Sequence, residues 1–517
     1  MQGVTCVQKS AIAKNALLLT GSDLLLRLMG IGFHAFLTHR IGAEGLGLMQ
    51  LISSVGFFAI IVGSSGVRVA AMCLTAEEFG KGNPGGACAG VRACLRYGLC
   101  VSSLAATLLF LSASAIATQL LGGSEAAAPL RIMALFLPFS CLCGVMAGYF
   151  TACGKIRQMV GVQLAERLFS MAFTAFALLR GIGGSTTYAC SAILLGSSLG
   201  SVLEFSVLFL CFRRDRRTLA GRSDPGAGRM GQRLRKLCLP LALNDYLRAG
   251  LNTAEQLLIP FGLAKYGGSS TDALAAHGTI HAMVFPVLMF PAAILYSLSD
   301  LLVPELSRSR AMGRSTRIQA LTDRYLHLTW LFACAVAGFL FCCAEPLGLQ
   351  IYGSEAAGRY LRIFAPMVPM LYLDAITDGM LKGLSQQLSC VRYNSLTSGL
   401  DVLLLFFLLP RWGIGGYLFS FALCHGINLF LSLRRLLQVA GHRLKVATLV
   451  RSFLCLLGAL WASARLPAQP VPLLALFFRG GFFLCLLCGL YLLSGAIRPR
   501  ELHRIKHLFL PPRSVKK

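Results

Sequence analysis

Long apolar stretches alternate with short polar segments along almost the whole chain. Glycine, proline or charged residues bound each stretch, and most stretches contain 20 or more residues. An α-helix needs about 20 apolar residues to cross the hydrocarbon core of a bilayer. The pattern therefore predicts fourteen membrane-spanning helices, at about residues 13–38, 46–74, 94–118, 127–152, 158–180, 186–212, 237–264, 273–303, 322–344, 358–383, 389–410, 413–437, 446–464 and 471–494.

The composition excludes a large soluble protein. Of the 517 residues, 56% are apolar and 13% are charged, whereas about 25% of the residues in an average soluble protein are charged. Too few charged residues remain to coat the surfaces of the domains into which a soluble chain of this length would divide. The predicted fold class is an all-α polytopic membrane protein.

The basic residues are distributed unevenly among the predicted loops. The net charge is +27, but no basic domain lies outside the apolar helices, so we do not expect nucleic acid as a partner. Of the 48 lysines and arginines, 34 fall in or beside the loops on one side of the predicted membrane, and six fall on the other side. Because cytoplasmic loops are rich in lysine and arginine, we predict a multi-pass protein of the cytoplasmic membrane with both termini in the cytoplasm.

One segment of the sequence occurs twice, about 230 residues apart. Residues 123–127 and 353–357 both read Gly-Ser-Glu-Ala-Ala, and each copy leads into a helix with an arginine and, seven residues later, a proline. Gly148 and Gly379 follow at the same offset in the two helices. Both copies enter the membrane from the same side, so the repeat predicts two parallel six-helix bundles, a common plan of transporters with a central cavity.

The repeat divides the chain into four regions. We expect an N-terminal six-helix lobe over residues 1–212 and a basic cytoplasmic linker over residues 213–236. A second six-helix lobe follows over residues 237–438, and two additional helices with a basic tail occupy residues 439–517. The central cavity is expected between the two lobes.

Charged residues inside the predicted helices are the candidate functional residues, because an ionisable side chain within a membrane span is costly. Asp23 and Arg27 lie four residues apart in the first helix and share a face, and Arg68 lies in the second helix. The seventh helix carries one polar stripe, formed by Asp245, Arg248, Asn252 and Glu255. These residues either bind a substrate or form salt bridges that hold the helices together.

Three further acidic residues are candidates for ion coupling. Asp374 and Asp378 lie four residues apart in the tenth helix and could bind a cation or a proton. Asp401 lies in the eleventh helix, where an interhelical hydrogen bond is the alternative. His277 and His281 have the spacing of two metal ligands, but no third ligand accompanies them. We therefore expect neither a metal site nor a cofactor.

Motifs of enzymatic catalysis are missing from the sequence. It has no phosphate-binding P-loop, no GxSxG and no HExxH, so we predict a transporter that uses an ion gradient, the membrane potential or a substrate gradient. Arginines within the membrane select for anionic cargo, because guanidinium–phosphate contacts are strong in a low dielectric. A pyrophosphate-linked lipid fits these charges, and a cationic drug does not.

Two segments of the sequence resemble the stage V sporulation protein B group. The first covers residues 15–66, with Arg27 shortly before Met-Gly and with Ile-Gly-Ala-Glu-Gly-Leu-Gly at residues 41–47. The second contains Leu-Pro-Leu at 239–241, Leu-Asn-Thr-Ala-Glu at 251–255 and Met-Val-Phe-Pro at 283–286. The likeness extends over about residues 10–440. This group lies in the polysaccharide-transporter branch of the MOP superfamily, beside the lipid II flippases and the distant drug antiporters.

The resemblance implies two MATE-like six-helix lobes, a V-shaped central cavity and alternating access. It implies flipping of undecaprenyl-pyrophosphate-linked sugars, such as lipid II or polysaccharide precursors, for the peptidoglycan of the spore cortex. Arg27 and Arg68 match the cavity arginines of the flippases by helix and approximate position, and Arg248 matches less closely. The expected substrate-binding residues are Arg27, Arg68, Arg248, Asp23, Asn252 and Glu255.

The expected partners are the lipid-linked oligosaccharide pyrophosphate, membrane lipids and a monovalent cation or proton, and the protein is expected to be monomeric. Two other classes of protein compete with the flippase. A cation-coupled multidrug or toxin exporter of the same superfamily would have a cavity dominated by acidic residues. A membrane-embedded sugar polymerase or transferase would need catalytic carboxylates in a long outer loop, and the predicted outer loops are short.

Overall fold

The computed structural model describes residues 2–180, 185–219, 227–267, 269–442, 446–466, 474 and 476–496. Within these ranges the regular structure is helical and includes no strand. The middle of the predicted linker, the start of the last predicted helix and the basic tail after residue 496 lie outside the described residues.

The helices follow one another with short connections. The α-helices are α1 (Gln2–Ser64), α2 (Val67–Gly80), α3 (Pro84–Gln119), α4 (Ala127–Ala152), α5 (Ile156–Arg180), α6 (Thr186–Leu219), α7 (Ala227–Lys265), α8 (Ser270–Gly278), α9 (Phe285–Met289), α10 (Ala292–Ala311), α11 (Ser315–Cys342), α12 (Ala344–Tyr352), α13 (Glu355–Phe364), α14 (Val368–Gly383), α15 (Gln387–Ala440), α16 (Val446–Ala464) and α17 (Gly481–Leu493). Short 3₁₀ segments are Ser124–Ala126 and Ala365–Met367, and π-helical segments are Thr279–Val284 and Leu476–Gly480.

Among the described residues, ten helical ranges are long and apolar enough to cross a membrane. The predicted class of an all-α polytopic membrane protein is therefore confirmed. Two of the ranges, Gly21–Gly80 and Gln387–Ala440, each contain two predicted helices. The other two predicted helices are the seventh, which is α7 with its polar stripe, and the tenth, which is divided between α13 and α14. The number fourteen stays a prediction.

Two of these helical ranges are kinked at a glycine that has a positive φ. Gly42 interrupts α1 with a φ of 68°, and Gly413 interrupts α15 with a φ of 55°. Side chains strain such a backbone conformation, whereas glycine adopts it freely. The backbone at both glycines is non-helical, so each marks a kink between two helices, at the positions where the sequence predicts a helix boundary.

The small residues in the segment at 41–47 let α1 pack closely against another helix. A Cβ at Gly47 would lie 2.0 Å from the carbonyl oxygen of Leu274, and a Cβ at Gly278 would lie 2.2 Å from the carbonyl oxygen of Ala43. The backbones of α1 and α8 are therefore in direct contact. Helices in a bilayer associate through van der Waals packing, and small residues permit this close approach.

The chain divides into two compact units. The first contains residues 1–282 and 394–424, and the second contains residues 283–393 and 425–517. One core of the first unit joins α2, α4, α6 and α7, with Leu74, Phe150, Leu208 and Leu234 among its buried members. A core of the second unit joins α11, α16 and α17. The predicted lobes 1–212 and 237–438 stay a prediction.

The two glycines of the sequence repeat have the same packing role in their own units. A Cβ at Gly148 of α4 would lie 2.5 Å from the carbonyl oxygen of Arg68 in α2, and a Cβ at Gly379 of α14 would lie 1.7 Å from the Ser299 hydroxyl oxygen in α10. If the halves are equivalent, α2 corresponds to α10 and α4 to α14, as the repeat predicts.

Candidate functional site

The first half of α7 packs against the interruption between α1 and α2. Gly66 has a φ of 71° at this interruption, and a Cβ there would lie 2.9 Å from the carbonyl oxygen of Cys238 in α7. The neighbouring Ser65 hydroxyl donates a 2.8 Å hydrogen bond to the Asp245 carboxylate. Asp245, predicted as part of the polar stripe, is therefore hydrogen-bonded to Ser65.

Arg68 follows the interruption as the second residue of α2. Its Cβ lies beside α4, because a Cβ added at Gly144 would be 3.8 Å from it. The side chain is exposed and is close enough to Glu204 of α6 to interact with it electrostatically. No described carboxylate forms an ion pair with Arg68. Its charge is thus held in the first unit without direct neutralisation by a described residue.

The other candidate residues for the cargo are exposed on two helices. Asp23 and Arg27 lie one turn apart on α1, and Arg248 and Asn252 lie one turn apart on α7. Arg248 also forms no ion pair with a carboxylate in the described ranges. We refer to Arg27, Arg68 and Arg248 as the arginine set. All three belong to the first unit.

Glu255, the last residue of the predicted stripe, lies in a different environment. It is half-buried and interacts electrostatically with Asp401 of α15, which is 8% exposed. The Ser420 hydroxyl donates a 2.5 Å hydrogen bond to Asp401. Tyr417 is 1% exposed and lies within electrostatic range of both carboxylates. We refer to Glu255, Asp401, Tyr417 and Ser420 as the carboxylate cluster.

The interruption of α15 assembles this cluster. Asp401 precedes Gly413 and Ser420 follows it, so the two arms of the helix bring the hydrogen-bonded pair together. A Cβ at Gly413 would lie 2.8 Å from the ring of Tyr266. Only glycine fits both the positive φ and the adjacent ring. The interhelical hydrogen bond that the sequence left open for Asp401 is present.

Two histidines adjoin the carboxylate cluster. His281 lies in the π-helical segment, a distortion that is frequent at functional sites. Its Nε2 is 3.4 Å from the Tyr417 hydroxyl, and its Nδ1 is 3.5 Å from the amide of Gln256. The ring of His277 lies 4.6 Å from that of His281. The ranges described contain no group of three or more His, Cys, Asp and Glu side chains arranged to hold a metal ion.

The second unit contains the other pair of candidate acids. The buried Asn428 amide donates hydrogen bonds of 3.0 Å to both oxygens of Asp374. Asp378 follows one turn later on α14 and interacts electrostatically with Asp374. Of the three residues predicted for ion coupling, Asp401 is therefore grouped with Glu255, and Asp374 is grouped with Asp378.

The sequence does not single out the hydroxyl and amide partners of these acids. Ser420 and Asn428 lie 19 and 54 residues from the aspartates that they contact. Polar residues of this type are common in membrane helices, so the residue type alone carries no signal. The useful signal is a serine that faces an aspartate across a helical hairpin marked by an interior glycine.

Solved structures of membrane transporters share this fold. The chain matches a structure titled "Lipid II flippase MurJ, inward closed conformation" with a TM-score of 0.71 and 13% identity, over 94% of this chain and 100% of that chain. It matches an inward-facing multidrug resistance MATE family transporter of the MOP superfamily with a TM-score of 0.60 and 12% identity, over 80% and 95% of the two chains. The protein thus has the fold of the MOP-superfamily transporters and is a multi-pass membrane protein.

Sequence comparison is more specific. Residues 12–224 match the family model described as polysaccharide biosynthesis protein. Stage V sporulation protein B of Bacillus subtilis (strain 168) is 24% identical over 420 residues, which are 79% of this chain and 80% of that protein. Sporulation protein YkvU of the same organism is 20% identical over 336 residues, 64% and 73% of the two chains. The chain is a homologue of stage V sporulation protein B, so the predicted resemblance is confirmed.

Proposed function

We propose that the protein is a flippase that moves undecaprenyl-pyrophosphate-linked sugars across the cytoplasmic membrane by alternating access. Its cargo is lipid II or a related polysaccharide precursor, and the process that it serves is the synthesis of spore cortex peptidoglycan. The match to a sporulation protein, the polysaccharide-biosynthesis family model and the fold shared with a lipid II flippase support this proposal. Both termini face the cytoplasm, as the distribution of basic residues predicts.

The observation that carries the proposal is the exposure of the arginine set within apolar helices. An arginine at the centre of a membrane helix costs roughly 2.5–3.5 kcal/mol on insertion scales. Arg68 and Arg248 form no ion pair with a described carboxylate, so their charges are not directly neutralised. A hydrated site that receives an anionic cargo offsets this cost.

Pyrophosphate suits these residues because a guanidinium offers a planar fork of N–H donors to phosphate oxygens. In the proposed site Arg27, Arg68 and Arg248 bind the pyrophosphate. Asn252 lies one turn from Arg248 and provides an amide for a polar group of the cargo. Asp23, which shares a face of α1 with Arg27, limits the positive charge when the site is empty.

The carboxylate cluster is the proposed coupling site for a monovalent cation or a proton. Two neighbouring carboxylates with little exposure repel each other, and a bound cation or proton relieves this repulsion. If the ion binds more strongly in one conformation than in the other, its gradient shifts the conformational equilibrium. Asp374 and Asp378 are a second candidate pair for the same role.

A cation-coupled drug exporter is the second candidate function, and the carboxylate cluster is the observation that favours it. The two functions can be distinguished in proteoliposomes that contain the purified full-length protein. We expect protein-dependent flipping of fluorescent lipid II and no accumulation of the drug cation ethidium. Accumulation of ethidium without flipping of any pyrophosphate-linked sugar would contradict the flippase. An Arg96→Ala variant, which changes an exposed arginine of α3, is the matched control and should flip lipid II normally.

A further inference from the structure

A groove between α7 and α15 lies outside the proposed transport site. It encloses a volume of about 240 Å³ within the first unit. Its apolar lining is formed by Leu258, Phe261, Leu405, Phe406 and Phe407. These residues provide the kind of wall against which a hydrocarbon chain packs.

The floor of the groove is closed because the two helices touch. A Cβ at Gly262 of α7 would lie 2.5 Å from the Cβ of Leu409 in α15, and Leu409 is fully buried. The three phenylalanines at the edge of the groove are each exposed by slightly more than half. The groove therefore opens to the surroundings of the protein along an aromatic edge.

Two cations, Lys265 and Arg411, complete the lining. Lys265 is the last residue of α7, and Arg411 shortly precedes the interruption of α15 at Gly413. Both side chains are exposed, and neither forms an ion pair with a described carboxylate. They are two of only six lysines and arginines on the predicted basic-poor side of the membrane. Positive charge is thus concentrated at the groove, although the predicted basic-poor side has few cations in total.

Other cations on that side also contact an aromatic ring of their own helix. Arg40 and Arg180 each cover the aromatic ring four residues earlier on their own helix, at 5.9 and 4.5 Å from the ring centroid. Lys265 makes the same contact with Phe261 at 4.3 Å. At the groove, a second cation from another helix, Arg411, lines the same apolar space as Lys265. Arg40, a single arginine shortly before the kink of α1 at Gly42, is therefore a suitable control.

We propose that this groove binds an anionic phospholipid, with its phosphate at Lys265 and Arg411 and an acyl chain along the aromatic edge. The combination of two unneutralised cations and an apolar groove matches the charge and the shape of such a lipid. Basic pockets between membrane helices bind anionic head groups in this way, and each cation near the membrane surface contributes about fivefold in affinity. This site is independent of the cargo and of the carboxylate cluster.

Trp412 is a natural reporter for this lipid. It follows Arg411 directly and is 56% exposed. The chain has three tryptophans, so Trp330→Phe and Trp461→Phe together leave Trp412 as the single fluorophore in the full-length protein. The protein is placed in phosphatidylcholine vesicles that contain increasing fractions of either brominated phosphatidylglycerol or brominated phosphatidylcholine. Quenching of Trp412 then reports which lipid lies next to Arg411 at the edge of the groove.

We expect quenching by brominated phosphatidylglycerol to reach half its maximum at a mole fraction roughly 25-fold lower than quenching by brominated phosphatidylcholine, because two cations contribute about fivefold each. Lys265→Gln and Arg411→Gln should each reduce this preference by about fivefold, and the double variant should remove it. Arg40→Gln should leave the preference unchanged. The emission spectrum of Trp412 and monodisperse elution verify that each variant is folded, and the single variants suffice if the double variant does not fold.

Equal quenching by the two lipids in the parent protein would overturn the proposal. Retention of the full preference in both single variants would overturn it as well. Inorganic phosphate distinguishes a lipid from a free anion. At the same ionic strength as sodium chloride, phosphate should have no additional effect, whereas selective loss of the preference would show that the cations bind free phosphate instead.

Discussion

α7 contributes to two groups of polar residues that differ in almost every physical respect. Arg248 belongs to the arginine set, whose side chains are exposed and positively charged. Glu255 lies seven residues later on the same helix, in the carboxylate cluster, where Asp401 and Tyr417 are buried. One helix therefore carries an open cationic group and an enclosed acidic group two turns apart.

Under the proposed function, this difference suits two ligands of different size. A large headgroup can reach only exposed side chains, and a pyrophosphate needs several cations. A small ion can enter an enclosed group, where weak screening makes the charge of two carboxylates effective. If this division is correct, substitutions in the arginine set change the affinity for cargo, and substitutions in the carboxylate cluster change the dependence on the ion.

The largest effect is expected from the arginine set. Arg27→Ala and Arg248→Ala should each abolish measurable flipping, because charge-assisted hydrogen bonds contribute about 1.5–3 kcal/mol, or roughly ten- to a hundredfold in affinity. Arg27→Lys should restore only part of the activity, because an ammonium lacks the planar fork. Flipping of lipid II in proteoliposomes measures both effects.

Exchange of Asp23 and Arg27 tests the competing explanation, in which these residues form a structural pair. Flipping at the parental rate after this exchange would show that only the pair matters and would remove the pyrophosphate role. Normal insertion with lost flipping in Arg27→Ala, beside an active Arg96→Ala control, would support the binding role.

A smaller and different effect is expected from the carboxylate cluster. Glu255→Gln and Asp401→Asn should lower cation- or proton-driven flipping by about tenfold, a change of about 1.4 kcal/mol, while binding of the cargo remains. The measurement is a titration of flipping against sodium concentration and against pH. Glu44→Gln, which changes an exposed carboxylate of α1, should behave as the parent. An unchanged ion dependence in both cluster variants would move the coupling role to Asp374 and Asp378.

Substitutions at two glycines test whether the arginine set and the carboxylate cluster have separate roles. Gly66→Ala and Gly413→Ala each place a methyl group within 3 Å of a neighbouring atom at a positive φ, which costs about 1–3 kcal/mol. Gly66→Ala should mainly weaken cargo binding, and Gly413→Ala should mainly weaken the ion dependence. Gly42→Ala has a positive φ but open space around it, so its thermal midpoint should fall least of the three. Equal falls in midpoint would show that the close contacts do not matter.

The smallest effect is expected at Ser65. Ser65→Ala removes the hydrogen bond to Asp245 and should cost about 1 kcal/mol of stability. Asp245→Asn should cost a similar amount, and the double variant should cost less than the two single variants together. Thermal unfolding of the detergent-solubilised variants measures this coupling. Additive costs would indicate that the contact contributes nothing.

Most of the fold could be predicted because the bilayer demands long apolar helices. The kinks at Gly42 and Gly413 could be predicted as helix boundaries too, because glycine interrupts the apolar pattern at both positions. The extension of the second predicted helix from residue 74 to residue 80 could not be predicted, because Glu77 and Glu78 are charged. Arg233 of α7 forms ion pairs with both of these glutamates, and tertiary contacts therefore extend α2.

The candidate site was only partly predictable. Spacing on α7 places Asp245, Arg248, Asn252 and Glu255 on one face, but it cannot show that Ser65 engages the first of them and Asp401 the last. These partners come from distant parts of the chain. Periodicity therefore finds the polar face of a helix, and only the packing of other helices divides that face between two environments.

The central claim is that the arginine set binds the pyrophosphate of the cargo. Its most direct test is the affinity of the purified full-length protein for undecaprenyl pyrophosphate and for undecaprenyl monophosphate. We predict a preference for the pyrophosphate in the parent protein and in Glu255→Gln, and loss of this preference when Arg27, Arg68 and Arg248 are all replaced by alanine. Parental affinity and preference in the folded triple variant would contradict the account.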